Sequence, residues 1–124
     1  MPNLNENEVN AVNEDSEKME ISIMDLVVKS GNARSYAMEA LFHAREGDYP
    51  SALAALENCD EELTRAHAVQ TEFIQRESRG ETIPTSLFLI HAQDHLMNAA
   101  VVRDLAREML EMHRRLRDIE QKIN

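Results

Sequence analysis

The stretch ISIMDLVVKSGNARSYAMEALFHA, residues 21–44, decides the fold. Ile23, Leu26, Ser30, Ala33, Ala37, Ala40 and Ala44 recur at alternating spacings of three and four, the period of one face of an α-helix. The small residues on this seam let a second helix approach closely. Gly47 suits the left-handed residue that ends such a helix. The pattern predicts a first helix over residues 20–46.

Working outward, Asp48 is placed to cap the next helix, and Pro50 falls in its first turn, where a missing N–H does no harm. Tyr49, Ala52, Leu56, Cys59, Leu63, Ala66, Gln70 and Phe73 form its seam, so a second helix is predicted over 49–78. RGETIPT, residues 79–85, joins Gly80 and Pro84 in a turn, and Thr85 or Ser86 can cap a third helix over 86–120. Two short connections between long helices predict an all-α, antiparallel, up-down-up three-helix bundle over residues 19–124. Residues 1–18 are acidic, rich in asparagine and poor in large apolar side chains, and are expected to form a disordered tail.

Composition limits the function. The chain has 124 residues, the size of one domain, and a net charge of −10, which opposes binding to nucleic acid or anionic lipid. No uninterrupted apolar run approaches the roughly 20 residues that span a bilayer. The start MPNLNENEVN has neither the basic nor the apolar region of a secretory signal, and Cys59 is the single cysteine, so a cytoplasmic location is expected.

The third helix carries the anomaly. Val102, Leu105, Met109, Met112, Leu116 and Ile119 make an apolar seam, but extended backwards in phase it reads Asn98, His95, His91 and Phe88. A neighbouring seam, Leu87, Ile90, Met97 and Val101, contains Asp94. HAQDH, residues 91–95, thus sets two histidines one turn apart with an acid beside them, where the pattern predicts packing. A lone histidine on an apolar face is usually a core residue, and a lone aspartate often only fixes register. Three polar residues within five favour a site, with Gln93, Gln70 and His67 as neighbours. His43 and His113 lack such company and read as surface or packing residues.

The chemistry can be narrowed. Ala92 follows His91 where a helical zinc peptidase needs glutamate, and no paired Glu-x-x-His motifs mark a di-iron bundle. A histidine nucleophile remains: an imidazole titrates close to neutral pH, and phosphoryl transfer needs mostly positioning and charge neutralisation. A scaffold whose histidines set assembly geometry, and a metal-storage bundle, are the other readings left open.

LIHAQDHLMNA (89–99), SGNARSYAMEAL (30–41), AREGDYPSA (44–52) and AHAVQT (66–71) together resemble the lactose and chitobiose/cellobiose IIA components of the bacterial sugar phosphotransferase system. The resemblance covers residues 20–118. It implies a homotrimer of three-helix protomers in which His91, in a cleft between subunits, becomes a phosphohistidine on Nε2. The phosphoryl group would come from the phosphocarrier HPr and pass to a cysteine of the cognate IIB component. The resemblance also places Asp94 near the threefold axis as ligand to a divalent cation, Mg2+, with His95, Gln93, Gln70 and His67 in supporting positions.

Overall fold

A computed structural model describes residues 3–124. It is an up-down-up bundle of α1 (Glu6–Arg45), α2 (Tyr49–Ser78) and α3 (Leu87–Ile123), with no strand among the described residues. α1 packs closely against both other helices, which touch each other far less.

The turns follow from local chemistry. Gly47, at φ 78°, ends α1 and donates to the Ala44 carbonyl at 3.0 Å. The left-handed conformation favours glycine, and so does the space above it: a Cβ there would lie 2.5 Å from Cζ of Arg117. The last turns of α3 therefore pack on the α1–α2 turn. Asp48 caps α2 by accepting from the Ser51 N–H at 3.2 Å, which holds its carboxyl below the usual range. After Gly80, φ 91°, Ile83 anchors the connection in the core, and Ser86 caps α3 by accepting from Leu89 N–H at 3.0 Å.

The seam expected on α1 is the one buried, and that on α2 is buried from Ala52 to Ala66 and at Phe73, with Tyr49 and Gln70 half-buried. Ser30 is fully buried, and its hydroxyl has no hydrogen-bond partner among the described residues. An unpaired buried hydroxyl costs about 1–3 kcal/mol, and alanine is the better helix former. Ser30→Ala should therefore raise the denaturant midpoint by an amount equivalent to about 1 kcal/mol. A lowered midpoint would mean that the hydroxyl does useful bonding.

Two expectations need correction. On α3 the buried seam is Leu89, Ala92, Leu96, Ala99, Ala106 and Leu110. Of the predicted seam only Val102 is half-buried, while Leu105, Met109, Met112, Leu116 and Ile119 are exposed. α3 carries two apolar stripes, and half of the inward one, Ala92, Ala99 and Ala106, is alanine. The second correction concerns the tail expected to be disordered over residues 1–18. Met1 and Pro2 lie outside the described residues, and the chain is helical from Glu6. A capping box starts this helix: Asn5 accepts from Glu8 N–H at 2.9 Å, and the Glu8 carboxylate accepts from Asn5 N–H at 2.8 Å. No side chain of residues 3–18 is buried; Arg76 of α2 reaches Asp15 at 3.4 Å.

Candidate functional site

Ala92 and Leu96 are fully buried and fix the rotation of the first turns of α3. At about 100° per residue, that rotation turns His91 and His95 to the flank nearer α1, Asp94 outward, and Gln93 to the flank nearer α2. His91 and Asp94 are exposed, and His95 is half-buried. The packed face expected at these positions is therefore open in a single chain.

The two histidines touch. His91 Nε2 and His95 Nε2 are 3.0 Å apart, with ring centroids 4.4 Å apart and planes at 75°. Two neutral imidazoles at this distance share one proton between the facing nitrogens. If His95 Nε2 carries it, His91 holds its own proton on Nδ1 and keeps a lone pair on Nε2, which is a nucleophile in a fixed tautomer. Phe88, one turn before His91, lines an open groove of about 590 Å³ with Glu17, Glu20, Ile21 and Met24 of α1. Sequence reasoning placed Phe88 in phase with the histidines but missed Glu17 and Glu20; Glu17 lies within the stretch read as a tail.

The other expected neighbours sit elsewhere. Gln70 donates to Gln93 at 2.6 Å, which ties α2 to α3 on the flank away from His91. His67 is exposed on α2, its Nδ1 donating to the Leu63 carbonyl at 3.0 Å. Within one chain these three residues do not join the histidine pair. His43 is half-buried 3.5 Å from Glu39, and His113 is half-buried. Cys59 is buried in the core, and burial pushes its thiol pKa up, away from nucleophilic use.

Among the described residues, no group of three or more His, Cys, Asp or Glu side chains is placed to hold a metal ion. Asp94 is a single carboxylate on the outward face, between Ile90 and Met97. One chain is thus no cation site, whereas three such carboxylates brought together would be a hard oxygen donor set suited to Mg2+. A cavity of about 130 Å³ lies between α1 and α2 beside Phe73 and Arg76, and none of the HAQDH residues lines it. No helix among the described residues is long and apolar enough to cross a membrane.

The sequence profile described as "PTS system, Lactose/Cellobiose specific IIA subunit" matches residues 21–114. The chain is 45% identical over 101 residues to the lichenan-specific phosphotransferase enzyme IIA component of Bacillus subtilis, spanning 82% of this chain and 92% of that one. Its fold is similar to the crystal structure of the cellobiose-specific enzyme IIA of Bacillus anthracis, with TM-score 0.79 and 46% identity over 81% of this chain and 92% of that one. It is also similar to the IIA(chitobiose) of Escherichia coli solved in complex with HPr, with TM-score 0.69 and 38% identity over 80% and 96%.

Proposed function

Because the chain belongs to the lactose/cellobiose-specific IIA family of the phosphotransferase system, we propose that it is a cytoplasmic phosphohistidine carrier that accepts a phosphoryl group from phospho-HPr on His91 and delivers it to the cysteine of a IIB component. The observation that carries this reading is the 3.0 Å contact between His91 Nε2 and His95 Nε2 on an exposed helix face. The solution of a similar IIA with HPr supports the donor.

In the first step, the Nε2 lone pair of His91 forms a bond to phosphorus as the donor's P–N bond breaks, and that electron pair returns to the donor imidazole. At rest the His95 N–H donates to His91 Nε2 and fixes its tautomer; that hydrogen bond breaks as the lone pair turns to phosphorus. After transfer, Nε2 has no lone pair, so the same N–H is free to donate to a phosphoryl oxygen, a stronger bond because the acceptor is charged. In the second step, a cysteine thiolate forms a P–S bond as the P–N bond to His91 breaks. Uptake of a lactose-, chitobiose- or cellobiose-type sugar is the process this serves.

Assembly as a homotrimer accounts for the outward stripe of α3. Leu87, Ile90, Met97, Val101, Leu105, Met112, Leu116 and Ile119 are between 50% and 82% exposed in one chain, an apolar face far longer than a monomer sustains. Asp94 of three copies would hold a divalent cation, which neutralises their charge when bound. Incubation with phosphoenolpyruvate, enzyme I and HPr tests the function: about one acid-labile phosphate per chain is expected. A chain that assembles but takes up no phosphate would be a scaffold instead.

A further inference from the structure

Gly31 stands in the middle of α1, where glycine lowers helix stability by about 1 kcal/mol relative to alanine. Nothing within the chain asks for it. The positive-φ glycines among the described residues are Gly47 and Gly80, so Gly31 has an ordinary helical backbone, and a Cβ added there would meet no atom within 4 Å. It lies on a stripe with Met24, Val28, Ser35, Met38 and Phe42, spaced three and four apart; the four large apolar members are 50–54% exposed. This second unpartnered face runs beside the groove that Met24 shares with Phe88.

α1 and α3 run in the same direction, and Phe88 lines one groove with Ile21 and Met24. Ten residues further along each helix, about 15 Å, Gly31 and Asn98 reach a similar height, one turn beyond His95. A bare backbone patch at that height admits a helix close to α1.

We propose that Gly31 is the point where α3 of a second copy of this chain crosses α1, and that its missing side chain sets how closely the neighbouring copy closes over the His91–His95 pair. The inference rests on the assembly proposed above. A second copy fits this face better than a transient partner does. The α3 stripe extends from Leu87 to Ile123, about 55 Å, and apolar seams of that extent belong to permanent assemblies. In the proposed trimer the stripe through Ile90, Asp94, Met97 and Val101 meets its own copies at the axis, and the flank of α3 beside it, which carries His95, Asn98 and Val102, meets the α1 face of the next copy; three such unlike contacts close a ring about a threefold axis.

Sedimentation of Gly31→Leu and Gly31→Ala decides it. Leucine should raise the concentration at half-assembly about a hundredfold, and alanine about tenfold, as expected for overpacking a close crossing. Helix content should be unchanged in both, since leucine and alanine favour helix. Thr64→Leu, which places the same leucine side chain on the exposed face of α2, should assemble like the wild type. Normal assembly of Gly31→Leu, or an equal loss in Thr64→Leu, overturns the crossing point and leaves the trimer intact as a reading. A wild type that sediments as single chains at every concentration overturns the trimer and the crossing together. If Gly31→Leu loses its helix content, Gly31→Ala carries the decision: helical and assembled like the wild type, it overturns the proposal.

Discussion

His91→Ala should take up no phosphate from phospho-HPr while keeping the helix content and assembly of the wild type. The side chain is exposed, so its loss leaves no cavity, and Ala92 and Leu96 still anchor the helix. The effect is all-or-none because in the proposed transfer His91 supplies the nitrogen of the new P–N bond. His95→Ala keeps the nucleophile but loses the ring nitrogen that faces it at 3.0 Å and that, in the proposed tautomer, donates its N–H. Removing a donor aimed at developing charge slows transfer by about a hundredfold to a thousandfold in enclosed sites. His95 is half-buried on an open face, so about tenfold to a hundredfold is expected here. His95→Gln, which retains an N–H, should recover part of the rate, whereas a purely structural role would show no such rescue. Labelling that survives His91→Ala and disappears in His95→Ala would exchange the two assignments.

Asp94→Leu should give an assembly indifferent to chelator. In the proposed trimer three Asp94 carboxylates meet among Ile90, Met97 and Val101, and like charges in a poorly solvated place repel unless a cation sits among them. The wild type should therefore shift towards single chains on sedimentation in EDTA and recover with Mg2+. Replacing buried charges with apolar groups of similar volume is often neutral or stabilising by about 1–4 kcal/mol, so the leucine variant should remain assembled in EDTA. It should also accept phosphate at His91, because Asp94 points outward from α3 rather than towards the facing Nε2 atoms. A variant that assembles normally but cannot be labelled would move Asp94 into the catalytic arrangement, and one that sediments as single chains would remove it from the axis.

The sequence was most legible where one stripe had one possible use. On α1 every member of the Ile23 to Ala44 seam is buried, and the bounds of α2 coincide with the prediction because Asp48, Pro50 and Gly80 mark both ends chemically. α3 was misread because periodicity finds a stripe but does not say what covers it. The long run of large residues from Leu105 to Ile119 drew the seam outward, while the helix packs inward through a mixed stripe of Leu89, Leu96 and Leu110 with Ala92, Ala99 and Ala106. The segment before Met19 was misread for the converse reason: it has no apolar anchor, but the reciprocal Asn5–Glu8 bonds are enough to start a helix that α1 then continues. The histidine pair was visible as a break in pattern. The separation of Gln70, Gln93 and His67 from that pair was not, because it depends on which flank of α3 meets α2.

The alanine-lined interior has a consequence for how the protein persists in a cell. Among the described residues, ten of the twenty buried hydrophobic side chains are alanine and a further twenty large hydrophobics are exposed, so a single chain leaves much of its apolar surface in water. In the proposed trimer, association would add stability to the folded chain by mass action. The melting temperature of the wild type is then expected to rise with protein concentration, so that the amount of the protein made would itself set how firmly each chain is held.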